Sequence, residues 1–233
     1  MLGKAVFGKR VSGGRVSGKP VRVAVAAVVA AGALAGCGGT QKPGTAALVG
    51  DDRITVTELS QTVRDWREQF RTDPAANELR AGPQNPAPQL AGESDSDVRG
   101  ALTLLINFRV AAEVADDAGI EITGSRIDET VGELNEDAGA ESITLASGLP
   151  REQTRDLARM VATQVAVMER FGADRTNPMS PATQQAGQKW NELFRSIADG
   201  MEIEVNPRYG TYDPGKFQVG PVDQRLSNPD SGI

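Results

Sequence analysis

The chain has a single thiol, Cys37, and no histidine in its 233 residues. A lone cysteine cannot close an internal disulfide. Its sulfur therefore stays free or is modified by something outside the chain. The absence of histidine removes Ser-His-Asp triads, histidine-ligated zinc and imidazole bases together. Carboxylates are the remaining reactive groups. An Asp/Glu pair can serve as general acid and base, but no spacing here singles out such a pair. Asp116-Asp117 and the group Glu133, Glu136 and Asp137 have the donor type of a cation site, and we read them as solvated acidic faces. No catalytic residue, metal ligand or cofactor is predicted.

The segment before Cys37 explains its chemistry. Residues 1–22 hold Lys4, Lys9, Arg10, Arg15, Lys19 and Arg22 and no acid. Residues 23–36 are an apolar run of 14, rich in Ala and Val. A spanning helix needs about 20 apolar residues, so this run has the length of a secretory signal rather than of a membrane anchor. It ends in Leu34-Ala35-Gly36-Cys37, which resembles a bacterial lipobox. The resemblance implies transfer of diacylglyceryl to the Cys37 sulfur and cleavage before it. Lys9 breaks the twin-arginine pattern, so ordinary Sec export is expected. Two acyl chains give stable anchoring where one does not, at ~0.8 kcal/mol per buried CH₂. The expected partner of Cys37 is thus the lipid bilayer, on the extracytoplasmic side of the cell membrane.

The whole chain has 25 basic and 31 acidic residues. Without the six signal bases, the mature chain stands near −12. That excludes nucleic acid as a partner, because phosphate binding needs Lys and Arg. It also disfavours adhesion to anionic lipids. A cationic or apolar partner fits better. Aromatics are only 4%, so the core must rest on Leu, Val, Ile and Ala.

These features require elements to carry them. Residues 37–45 read as a Gly/Pro tether. Residues 46–49 read as a strand, 50–53 as a turn, and 54–55 as a short return. Thr55 and Glu58 have capping-box spacing. Val56, Leu59, Val63, Trp66 and Phe70 then form one helical stripe. Pro74, Pro83, Pro86 and Pro88 mark 72–93 as a mobile loop. Ser94 and Asp97 repeat the capping spacing before a long helix with Val98, Leu102, Leu105 and Ala112 inward. Gly119 ends it. Thr123 caps a helix bearing Ile127, Val131 and Leu134. Residues 139–148 read as a connection. Leu157, Met160, Val161, Gln164, Val165 and Met168 mark the next helix, stopped by Gly172. Ser180-Pro181 is an N-cap with a first-turn proline, followed by Ala186, Trp190, Leu193, Phe194 and Ile197. Ile203 and Val205 alternate as in a strand. Residues 213–233 read as a flexible tail.

This order resembles the N-terminal chaperone domain of the SurA/PrsA type, in its actinobacterial lipoprotein form. The phrase Val49-Gly50-Asp51-Asp52-Arg53-Ile54-Thr55-Val56-Thr57-Glu58-Leu59 is similar to that family's opening. Ala118-Gly119-Ile120-Glu121-Ile122-Thr123 is similar to its junction before the third helix, residues 148–171 to the helix that follows, and Val205-Asn206-Pro207-Arg208-Tyr209-Gly210 to its ending. The resemblance implies a mainly α domain over residues 46–212. A small sheet would join the N-terminal hairpin to strand 201–205. It departs where SurA and PrsA carry a histidine-using prolyl isomerase domain, because residues 173–180 alone stand there. The implied function is therefore a non-catalytic chaperone for unfolded exported proteins. The alternative is an envelope adaptor for one folded partner. Trp66, Phe70, Met160, Met168, Trp190 and Phe194 are the candidate client-binding residues, with ordinary core packing as the competing role.

Overall fold

A computed structural model describes residues 43–81 and 95–222. Residues 1–42, which hold the expected signal segment, Leu34, Ala35, Gly36, Cys37 and most of the expected tether, and residues 82–94 lie outside the described residues. The description starts with a hairpin. Strand β1 (Thr45–Val49) pairs antiparallel with β2 (Asp52–Thr55), and β1 also pairs antiparallel with β3 (Ile203–Val205). The sheet order is β2-β1-β3, so the hairpin and the late strand share one sheet, as expected. Ala46, Ala47, Val49 and Ile54 bury their side chains almost completely. Gly50 turns the hairpin at φ +56°, and its N–H donates to the Met201 carbonyl at 2.8 Å. The turn is thereby tied to the end of the last helix.

Seven helices accompany this sheet among the described residues. Helix α1 (Val56–Arg71) begins at the expected capping box. The Glu58 N–H donates to Thr55 Oγ1 at 3.0 Å and the Thr55 N–H to Glu58 Oε2 at 3.3 Å. Such a cap contributes about 1 kcal/mol. Helix α3 (Asp95–Asp117) is the longest. Its Ala101, Leu102, Leu105, Ile106, Val110 and Val114 sit at the centre of the main core. Gly119 ends it at φ +62°. Helices α4 (Gly124–Asp137), α6 (Thr154–Arg170) and α7 (Pro181–Gly200) form where predicted, but α6 buries Leu157, Ala158, Ala162 and Val167, while Gln164 of the expected stripe is exposed. Thr123 caps α4 and Ser180 caps α7, with Pro181 in its first turn.

Three stretches differ from the sequence expectation. Residues Pro74–Ala81, read as part of a mobile loop, form helix α2. Asp73 accepts the Ala76 N–H at 2.8 Å, so Asp73-Pro74 is a cap with a first-turn proline. Residues Ala140–Ser147, read as a connection, form helix α5 between Gly139 at φ +86° and Gly148 at φ +101°. Trp66, Phe70, Ala76 and Leu145 make a second, smaller core between α1, α2 and α5.

The third difference is at the C-terminal side. The first ten residues of the expected tail complete a structured return. Strands β4 (Tyr212–Asp213) and β5 (Gln218–Val219) form a hairpin against α3. Tyr212 Oη donates to Asn107 Oδ1 at 2.8 Å, and Asn107 Nδ2 donates to the Phe217 carbonyl at 2.9 Å. The Val219 N–H donates to Thr103 Oγ1 at 2.9 Å. Residues 223–233 lie outside the described residues. The domain is mainly α with a small antiparallel sheet, as the sequence pattern implied.

Candidate functional site

The six candidate client-binding residues divide by burial. Trp66 and Phe70 are fully enclosed in the smaller core, their rings 5.5 Å apart. The Trp66 indole N–H donates to the Leu145 carbonyl at 2.7 Å. Trp190 and Phe194 are buried in the main core, and Phe194 meets Phe217 edge-on at 4.8 Å. These four are packing residues, and the expectation that they line an open cradle is corrected. Helical stripes of large apolar side chains are what α-helices bury against each other. Met160 and Met168 are half-buried. Met168 packs against α7 near Gly187, while Met160 reaches open space.

That space is a cleft of about 800 Å³ between α3, α6, the β1–β2 turn and the end of α7. Its floor is apolar. Val49 and Leu105 lie buried beneath it, and Phe108, Met160 and Met201 are half-buried around them. Ala112, expected to face inward, is instead exposed on the α3 wall. Small residues there leave room for an occupant's side chains. Arg109 crosses one side. Its Nη1 donates to the Leu105 carbonyl at 2.7 Å and its Nη2 stands 3.5 Å from Glu58. Glu202, on the opposite lip, adopts φ +50°. A non-glycine residue in that region is uncommon. The tie from Gly50 to Met201 holds this lip and the hairpin turn together.

Apolar surface is scarce outside the cleft. Among the described residues only Leu79, Met179 and Val222 are large hydrophobic side chains that stand exposed. No family model, no curated protein and no solved structure is similar to this chain. The site must therefore be read from its own geometry.

The acidic groups singled out in the sequence are dispersed. Asp116 lines the cleft. Glu133 pairs with Arg175 at 2.8 Å on another face. Among the described residues no three carboxylates or thiols are gathered as metal ligands, and no helix is long and apolar enough to cross a membrane. A carboxylate with several hydrogen-bond donors, Asp73, lies away from the cleft. Asp73 accepts from the Ala76 N–H, from Ser142 Oγ at 3.1 Å and from Arg151 Nη2 at 2.8 Å. Burial pushes its pKa up, but these hydrogen bonds and the Arg151 charge together bring it below the usual carboxylate value. It joins α1, α2 and α5 and has a structural role.

Sequence reasoning did not find the cleft's other residues: Asp51, Asp52, Glu113, Asp156, Phe108 and Met201. One local signal existed. Ala112, Glu113 and Asp116 share an α3 face, and Asp156, Arg159 and Met160 share an α6 face. Their convergence across the two helices is a tertiary fact.

Proposed function

We propose that this protein is a membrane-anchored extracytoplasmic lipoprotein that holds exported, unfolded polypeptides without catalysing a reaction on them. The cleft carries this reading. It is a concave, open site with an apolar floor built partly from methionines, which adapt to varied side chains. Leu34-Ala35-Gly36-Cys37 supports the anchor. The joining of the N-terminal hairpin to a late strand supports the kinship with SurA/PrsA-type chaperone domains. The relevant test uses the lipidated chain in phosphatidylcholine liposomes with a reduced, aggregating client. Suppressed light scattering relative to empty liposomes is expected. Unchanged scattering at several-fold molar excess would reject the holding role.

A second reading, an adaptor for one folded partner, draws support from the scarcity of exposed apolar surface. A holdase that works by broad apolar contact would expose more of it. A photocrosslinking residue at Ala112 separates the two in cells. Many crosslinked bands favour the chaperone, and one dominant band favours the adaptor.

A further inference from the structure

The cleft combines its apolar floor with strongly unbalanced charge. Seven of its lining side chains are carboxylates and two are guanidiniums, a net charge of −5. Arg109 is already engaged by Glu58. Six carboxylates remain: Asp51, Asp52, Glu113, Asp116, Asp156 and Glu202. All six are exposed, and among the described residues none is held in an ion pair. Arg159 is the other cation in the lining. Several carboxylates on other faces are paired with arginines. Arg155 pairs with Asp128, Arg126 with Glu129, and Arg175 with both Glu133 and Glu169.

Charge of one sign gathered in a concave site with low-dielectric walls focuses the field and raises the local concentration of opposite charge. An anionic membrane surface is repelled from such a site, so the bilayer is not its occupant. The volume is that of a ligand cleft, suited to a few side chains rather than to a docked domain. Gln153 lines the same wall, and its Oε1 is a buried acceptor with no donor among the described residues.

We propose that the cleft selects polypeptide segments that are both cationic and apolar, with Lys or Arg interspersed among Leu, Val or Phe. This rests on the reading of the cleft as the site that holds clients, and specifies which clients it holds. The occupant's apolar side chains cover Phe108, Met160 and Met201, while its cations meet the six carboxylates on the rim. Electrostatics then set which chains enter, and the floor sets how long they stay.

The test uses the lipidated full chain in phosphatidylcholine nanodiscs, which add no lipid charge. Fluorescence anisotropy is measured with three labelled 12-residue peptides of equal apolar content, bearing lysine, serine or glutamate at the polar positions. The lysine peptide is expected to bind tightest, with an affinity that falls as salt rises. The triple variant Glu113→Gln, Asp116→Asn, Asp156→Asn is expected to weaken it about tenfold, since each exposed pair contributes about two- to threefold. The variant Glu121→Gln, Glu136→Gln, Asp137→Asn removes the same charge outside the cleft and is expected to leave binding unchanged. Ala112→Trp adds bulk at an exposed position without altering charge, and is expected to abolish binding.

Equal binding of the three peptides, lost in Ala112→Trp, would overturn the charge selection and leave the holding role standing. Equal weakening by both triple variants would trace the effect to net charge and overturn the site. Binding of no peptide would overturn both readings.

Discussion

Replacing Trp66 should dismantle one part of the domain and spare another. The side chain is fully buried in the smaller core. It packs on Phe70, lies beneath the Arg80 guanidinium at 4.7 Å, and donates to the Leu145 carbonyl. Arg80 is in turn 3.3 Å from Asp97, which stitches α2 to the start of α3. Trp66→Ala removes the ring and leaves a cavity, at a cost of about 3–5 kcal/mol. Trp66→Phe keeps an aromatic ring but removes one of the two hydrogen bonds to the Leu145 carbonyl, which keeps the Gly148 N–H at 3.1 Å, at about 0.5–1.5 kcal/mol. For a domain of this size each kcal/mol lowers Tm by ~2–4 °C. The alanine variant should thus melt ~6–20 °C earlier and the phenylalanine variant ~1–6 °C earlier. The losses should be local before they are global. Hydrogen exchange should rise first in α2 and α5, while the centre of α3 keeps its protection. A Trp66→Ala drop of only a few degrees, or exchange rising evenly through α3, would refute the claim that a separate small core holds these two helices.

Other perturbations test the remaining joints. Asp73→Asn should cost about 2 kcal/mol at neutral pH, since hydrogen bonds to charged groups are being weakened. Because the folded pKa of Asp73 is depressed, its contribution is present above the unfolded value near ~3.9 and fades as pH falls through the folded one. Denaturation midpoints of variant and wild type should therefore converge in acid. Tyr212→Phe should cost about 1–2 kcal/mol by orphaning Asn107 Oδ1, and limited proteolysis should then cut the β4–β5 hairpin faster. Burial pushes the Tyr212 hydroxyl well above its ordinary pKa, with Asp199 and Asp213 adding to the rise. An ultraviolet titration should show its phenolate absent where free tyrosine ionises, near ~10. Cys37→Ser should move the protein out of the membrane fraction, read by fractionation and by loss of labelled-palmitate incorporation.

The fold was legible where a cap and a long stripe coincide. Thr55 with Glu58 announced α1, and Ser180-Pro181 announced α7, because these residues satisfy helix-start donors or lack one. Asp73-Pro74 carries the same signal. It was masked by Pro83, Pro86 and Pro88 downstream, which gave the whole stretch a loop-like composition. Helix α5 is too short for a periodic stripe and is bounded by two glycines, so local composition argued against it. The β4–β5 hairpin has strands of two residues each. Its order comes from Asn107 and Thr103 on α3, distant in sequence. The site was less legible for the same reason. The prominent aromatics went to the core, while the cleft is made from ordinary Asp, Glu and Met side chains that tertiary packing brings together.

The sheet carries a consequence for how the chain reaches its native state. Asn206 Nδ2 donates to the Thr45 carbonyl across 161 positions of sequence, beside the β1–β3 ladder. Strand β1 borders both partners, so it remains half-paired until β3 arrives. Contacts this remote form late, after a large loop has closed. A chain threaded outward from its N-terminus would expose β1 and β2 long before β3 emerges. Helices α1 to α6 can then build on local contacts, and the closing strand seals the domain only after β3 has emerged. If the chain is exported as proposed, stalled intermediates should be helical yet protease-sensitive at β1, and should become resistant once Val205 is outside.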